Sequence, residues 1–419
     1  MRQQYDSYKP SGIDWIGDIP SHWNIQRLKF GMNLINGRAY LQPELLSEGK
    51  YRILRVGNFF TNDSWYYSDM ELEDNKYCSK GDLLYAWSAS IGPYIWNEEK
   101  VIFHYHIWKV DLSGKMDKKY SYYLLGVITK VKLNDMHGSA MQHLTMENMN
   151  NSDIIVPPLA EQEAIAAWLD EKCGEIDAAI AKVDREIELI DELKQSEISR
   201  VVTRGLNPDA PLRPSGIDWI GDIPKHWTKC RLKFIGSARN GLTYSPSDVK
   251  DSGKLVIRSS NIQDSKLNYD DCVFVANYPE TLSVNSGDTI ICSRNGSINL
   301  IGKSVFIEDD MDVTFGAFMM RFRPYEHPKY SHYLLSIAIS RYKGLFATTT
   351  INQLTADSLG KMEAVMPPYM EQVQIADYLD KKCAAIDGLK AKLIKKRETL
   401  TELRQSIISE VVTGKRKVI

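Results

Sequence analysis

Residues 10–30 read PSGIDWIGDIPSHWNIQRLKF, and residues 214–234 read PSGIDWIGDIPKHWTKCRLKF, identical at 17 of 21 positions. A second pair follows the same rhythm. VPPLAEQEAIAAWLDEKC begins at Val156 and MPPYMEQVQIADYLDKKC at Met366, and each runs on to a matching end, SRVVT from Ser199 and SEVVT from Ser409. The chain is therefore two copies of one unit: opening motif, intervening block, Pro-Pro-x-x-Glu-Gln hinge, long helical segment. Repetition at this period sets the architecture before any local feature is weighed. It predicts two similar modules related by a pseudo-twofold axis, with two similar but non-identical binding surfaces.

The blocks between the motifs, about 31–155 and 235–365, share only landmarks. Gly81-Asp82 answers Gly287-Asp288, Tyr120-Ser-Tyr-Tyr-Leu-Leu answers Tyr330-Ser-His-Tyr-Leu-Leu, and Leu144-Thr145 answers Leu354-Thr355. A fixed frame around diverged interiors suits two modules doing the same kind of work on different targets. YRILRVGNF, KLVIRSSNI, DTIICSR and GKSVFIE read as strands entering turns, and SYYLLGVITKV and SHYLLSIAISRY as short amphipathic helices. Each block is thus an α+β module. The domains predicted are 1–155, 156–206 (hinge and helix), 207–365 and 366–419 (hinge and helix).

Past each hinge the apolar residues alternate steps of four and three. In the first copy they are Ile165, Leu169, Cys173, Ile176, Ile180, Val183, Ile187 and Ile190. In the second they are Ile375, Leu379, Cys383, Ile386, Leu389, Leu393, Leu400, Leu403 and Ile407. This is the seam of a coiled coil, and some forty-three residues would reach roughly 65 Å. Two such helices in one chain bury their seams most simply on each other.

The 419 residues carry a formal charge of −2, which excludes a uniformly basic coat for nucleic acid. The two blocks are no more basic, with 13 Lys plus Arg against 15 Asp plus Glu and then 13 against 14. A nucleic-acid surface must be a local patch, or a partner must supply phosphate contacts. Six scattered cysteines without a C-x-x-C pair, and a first stretch without an apolar core, read as reduced thiols in a cytoplasmic protein that has no membrane span.

Sites of chemistry are few. Met366-Pro-Pro-Tyr369 lacks the Asp or Asn with which an adenine methyltransferase opens that motif, and reads as a rigid entry into a helix. His104-x-His106 would put two imidazoles on one face of a strand, but no third metal ligand stands at a fitting spacing. No phosphate-binding glycine loop, zinc-protease motif or nucleophile elbow occurs.

The features that suit nucleic-acid reading recur at matched places. Arg55 and Asn58 correspond to Arg258 and Asn261, residue types that bond guanine and adenine edges bidentately. Asn36-Gly37-Arg38 faces Asn240-Gly241, which Arg239 precedes. The loop with Ser88 and Ser90 parallels that with Arg294 and Asn295. The loop with Ser139, Gln142 and His143 parallels that with Thr349, Asn352 and Gln353. Each residue alone could be a solvated turn or a helix cap; their recurrence in diverged blocks makes the loops a candidate interface.

The repeated G-I-D-W-I-G-x-I-P-x-H-W opening and P-P-x-x-E-Q-x-x-I-A-x-x-L-D hinge resemble those of the specificity subunits of type I restriction–modification systems, over nearly the whole chain. The resemblance implies two tandem target-recognition domains, each reading one half of a split, asymmetric DNA sequence. It also implies an antiparallel coiled coil that spaces them and docks methylation subunits, two in number. Catalysis, S-adenosylmethionine, ATP and Mg would belong to those methylation subunits and to restriction/translocase subunits, with no cofactor on this chain. Two other classes stay open: a fragment of a single-chain DNA adenine methyltransferase, and a coiled-coil scaffold that binds protein alone.

Overall fold

The computed structural model describes residues 4–60, 62–135, 144–346 and 352–418. The chain forms two compact units, one of residues 1–184 with 395–419, the other of residues 185–394. The division differs from the linear domain plan. It falls inside the two long helices, so that each unit holds the first half of its own helix and the second half of the other copy's.

In unit 1 the opening motif makes a hairpin, Tyr8–Pro10 against Asp18–Pro20, turned by Gly12 and Gly17 at φ +69° and +71°. The strand Asn24–Arg27 then pairs antiparallel with Asp153–Val156, the last strand before the hinge. Two repeat motifs about 130 residues apart in sequence are thereby sheet neighbours. Glu161 of the hinge fixes the junction: its carboxylate accepts the Trp23 indole N–H at 2.9 Å and meets His22 Nε2 at 2.6 Å. Unit 2 repeats the joint, with Thr228–Arg231 on Glu363–Met366 and Glu371 on Trp227 and His226 at 2.9 and 2.6 Å. Gln162 donates to the Lys115 and Pro157 carbonyls and accepts from Asp117 N–H. Gln372 does the same with Pro367 and His327. The Pro-Pro-x-x-Glu-Gln motif is a lock built of satisfied buried polar groups, and Met366-Pro-Pro-Tyr369 is its second copy.

The blocks keep one topology despite their different sequences. The antiparallel sheet Met32–Asn36, Ile107–Leu112, Leu83–Ala86, Gly92–Ile95 is matched strand for strand by Gly236–Asn240, Met319–Pro324, Thr289–Cys292, Ser304–Phe306. A second sheet holds a parallel pair in each, Tyr51–Leu54 with Val101–Phe103 and Lys254–Ile257 with Val313–Phe315. Helix α1 (Lys118–Asp135) is followed by α2 (Met146–Asn150), then the long α3 (Leu159–Arg204). Helices α4 (Pro328–Tyr342), α5 (Ala356–Lys361) and α6 (Tyr369–Val412) repeat the series.

Helices α3 and α6 run antiparallel where they meet in either unit. In unit 1 Asp177 pairs with Arg404 at 2.8 Å and Asp184 with Arg397 at 3.4 Å. In unit 2 Asp191 pairs with Lys390 at 2.8 Å and Lys194 with Asp387 at 2.6 Å. Ile165, Leu169, Cys173, Ile375, Leu379 and Cys383 are buried as the seam requires. Leu389 and Leu403 are not: they stand 51% and 46% exposed. Lys390 and Arg404 take the inward register instead, burying their stems while their heads reach Asp191 and Asp177. A rule that scores only apolar letters places the seam one residue early at both points.

Each long helix ends in the other copy's core. Val201 and Val202 join the unit 2 core, and Val411 and Val412 that of unit 1. The hydroxyl of Tyr120 donates to the Ile155 and Val412 carbonyls, and that of Tyr330 to Val365 and Val202. The shared Tyr-Ser-x-Tyr-Leu-Leu motif thus ties helix end to hinge strand.

Candidate nucleic-acid interface

In each unit the backbone brings the matched loops to one place, the tight turn after the parallel strand. In unit 1 this turn is residues 104–106. Arg38 N–H donates to Phe103 O at 3.0 Å and Tyr105 N–H to Arg38 O at 3.0 Å; His104 N–H bonds Leu54 O, beside Arg55, at 2.9 Å. Trp87 N–H bonds His106 O at 3.1 Å, and Leu144 N–H bonds Trp87 O at 3.4 Å. In unit 2 the turn is residues 316–318, and four of these five bonds recur. Leu242 N–H bonds Phe315 O, Gly316 N–H bonds Ile257 O, Ser293 N–H bonds Phe318 O and Leu354 N–H bonds Ser293 O, at 2.7 to 3.0 Å. The loops around residues 38, 55, 88 and 144, and those around 241, 258, 294 and 353, each form one rim.

The recurring Asn-Gly pairs have a steric origin. A Cβ on Gly37 would lie 2.4 Å from the Phe103 and His104 carbonyl oxygens, and one on Gly241 2.3 Å from those of Phe315 and Gly316. Only glycine lets the strand end pass this close to the turn.

The candidate residues divide in their availability. Asn58 and Asn261, expected to meet base edges, are fastened inside their own turns. Each Oδ1 accepts the N–H of its arginine, Arg55 at 3.0 Å and Arg258 at 2.9 Å, and each Nδ2 donates to two backbone carbonyls. Asn261 is 1% exposed. These amides cap 3-10 turns and have no free edge for a base, which corrects their assignment as adenine readers. Ser88 is also buried. Arg38 is held by Glu44 through two bonds of 2.8 and 3.1 Å, and that ion pair also draws the Glu44 carboxyl below its ordinary pKa.

Arg55 and Arg258 lie on the rim in matched form. Each gives one Nη2 bond to a backbone carbonyl, Ser64 O or Asp271 O, and keeps a buried Nε without a partner. Arg258 also pairs with the Asp271 carboxylate at 2.6 Å, and Arg55 lies over the Tyr66 ring at 4.3 Å. Ser90, Arg239 and Asn240 face solvent. Arg294 and Asn295 pair in a two-stranded ladder with Gln353 and Asn352, so two loops treated separately in sequence are one structure. Asn295 Oδ1 caps Ser297 N–H. Ser139, Gln142, His143 and Thr349 lie outside the described residues.

His104 and His106 sit on the turn, not along one strand face, with ring centroids 4.8 Å apart. Burial, then His106 and Arg55, push the His104 pKa down to about 4, so the ring is neutral at neutral pH. Among the described residues no group of three or more His, Cys, Asp or Glu could hold a metal ion. The rim offers guanidinium and hydroxyl donors beside aromatic faces: Trp87 lies 5.0 Å from His106 and 6.0 Å from Tyr105, and Tyr40 stacks on His104 at 6.4 Å. The turns themselves escaped sequence reasoning because His104-Tyr-His and Gly316-Ala-Phe share no letter; only their neighbours recur.

Residues 20–188 and 224–397 match a family model described as the type I restriction modification DNA specificity domain. The chain belongs to that family. Over 421 residues it is 23% identical to the type I restriction enzyme MjaVIII specificity subunit of Methanocaldococcus jannaschii, covering 96% of this chain and 94% of the relative. It is 28% identical over 206 residues to the EcoKI specificity subunit of Escherichia coli K12, covering 46% of this chain and 44% of that one. A chain from a solved structure, described as bearing on complex assembly and conformational transition of the type I R-M system, shares the fold. Its TM-score is 0.67 at 16% identity, over 94% of this chain and 98% of that one. Within the family's two specificity domains, the rims described above fall inside the matched ranges.

Proposed function

We propose that this chain is the DNA-reading subunit of a type I restriction–modification complex, each unit reading one half of a bipartite, asymmetric target. The observation that carries it is the rim built twice: one hydrogen-bonded frame, in two blocks whose side chains differ. A duplicated frame with exchanged side chains is what two readers of different sequences require, since phosphate contacts position and side chains at base edges specify. Exposed Arg239 and Asn240, and the guanidinium groups of Arg55, Arg258 and Arg294, supply donors for base edges or phosphates.

The chain contributes recognition and not catalysis. Methylation subunits, two of them, dock along α3 and α6, and restriction/translocase subunits complete the assembly. S-adenosylmethionine, ATP and Mg bind those partners. The partners also supply most phosphate contacts, consistent with a net charge of −2 on this chain. The helices set the distance between the half-sites, and the complex works in the cytoplasm. Among the described residues no helix is long and apolar enough to cross a membrane.

The test is methylation of a randomised duplex library by the chain reconstituted with its methylation subunits. One motif of two fixed halves around a non-specific spacer is expected. A continuous motif, or unselective methylation, rules the reading out. Binding of S-adenosylmethionine by the isolated chain would favour a single-chain methyltransferase instead.

A further inference from the structure

The turn at the centre of each rim is rigidly mounted and carries an exposed aromatic ring. In unit 2 the Phe318 carbonyl accepts the N–H of Ser293 at 2.9 Å, the N–H of Arg294 at 3.1 Å and the Ser293 hydroxyl at 3.0 Å. The residue is 59% exposed, with the Arg294 guanidinium 5.7 Å from the ring centroid. In unit 1 the exposed position is one residue earlier. Tyr105 gives its N–H to Arg38 O and takes the Trp87 indole N–H on its own carbonyl at 2.7 Å. Tyr105 is 38% exposed, its ring centroid 4.0 Å from that of His106 and 4.5 Å from that of His104.

A lone exposed aromatic is ordinary surface in most proteins. Here the two stand at the point where four loops converge, on backbone fixed by three hydrogen bonds and by two respectively. A ring held out by a stiff turn loses little entropy on contact, the property that makes aromatic side chains effective anchors.

We propose that Phe318 and Tyr105 are base-contacting specificity residues. Each packs its ring on the apolar edge of a base, a thymine methyl or the C5–C6 edge of a pyrimidine, in the half-site its unit reads. The assignment rests on the two-half reading above. The different exposed position in the two turns, 318 in one and the counterpart of 317 in the other, aims the rings differently and gives the halves different preferences from one frame. Tyr325 supplies an internal control. It is 66% exposed but follows the far end of the strand Met319–Pro324, about 20 Å from Phe318 along an extended chain.

The experiment measures binding of the reconstituted complex to its target duplex, to every single-base variant of both half-sites, and to a scrambled duplex. Phe318→Ala should lower target affinity about ten- to a hundredfold. It should flatten the preference at one or two adjacent positions of one half only, with the other half and the scrambled duplex unchanged. Tyr105→Ala should do the same in the opposite half, and Tyr325→Ala should change nothing. Profiles within twofold of wild type for both Phe318→Ala and Tyr105→Ala overturn the proposal, as does equal weakening on scrambled DNA. If the wild type itself lacks preference in one half, it is the two-half reading that fails. If the wild type reads both halves and the variants do too, only the turn assignment fails.

Discussion

At Gly414 a single hydrogen decides how a helix ends. The residue closes α6 at φ +74°, and a Cβ there would lie 2.3 Å from Pro20 Cδ and 3.0 Å from Trp23 Cζ3. Its counterpart Gly205 closes α3 at φ +74° with more room, the nearest atom being Trp227 Cζ2 at 3.1 Å. Left-handed backbone costs alanine about 1–2 kcal/mol at either site; only Gly414→Ala adds a collision with a proline ring that cannot turn away. Thermal unfolding should therefore show Gly414→Ala as clearly the less stable, with Gly205→Ala lowered by about 1–2 kcal/mol. Equal losses would mean that the end of α6 does not seat on Pro20 and Trp23. Asn261 makes the same point for polar groups: glycine and asparagine recur at matched positions here because backbone geometry needs them, and recurrence alone does not mark a contact with DNA.

For the long helices the seam register is the quantity to test. Leu379 is fully buried and Leu389 is 51% exposed, although both fit the apolar pattern. Leu379→Ala should cost about 2–5 kcal/mol, and Leu389→Ala less than about 0.5 kcal/mol, in chemical denaturation. Similar losses would restore Leu389 to the seam. The ion pairs between α3 and α6 are partly exposed and should weaken with salt. Glu197 behaves differently. Hydrogen bonding from Arg200, together with the Tyr378 hydroxyl and against the cost of burial, lowers its pKa from 4.5 to about 2. A carboxylate depressed in the folded state adds stability above its unfolded pKa and loses it as pH falls through the folded one. Wild type should thus exceed Glu197→Gln in stability at pH 6, the gap closing between about pH 4.5 and 2. A gap that is constant with pH would place the effect in packing.

On the scale of the whole chain, frame and rim are separable. The His22, Trp23 and Glu161 joint, the Gln162 lock and the Tyr120 tie lie in the repeated motifs or at a shared landmark, and the rim side chains lie in the diverged block. Exchanging residues 31–155 for those of a relative with another target should change one half of the methylated motif and leave the other intact, as read by sequencing methylated DNA. The donor must keep a tyrosine at the place of Tyr120. A folded chimera with both halves altered would show that the units do not read independently.

The sequence by itself determined the two-copy plan, the long helices and the hinge, because repetition and apolar periodicity are local signals that survive without coordinates. It also named most of the loops that gather at each rim. Tertiary structure alone decided the rest. Lys390 and Arg404 enter the seam because Asp191 and Asp177 wait across it, which no single-helix pattern can register. Asn58 and Asn261 turn inward because carbonyls of residues 62–64 and 268–271 lie within reach. The central turns carry no shared letters and become equivalent only through backbone bonds, which are made by every residue type alike.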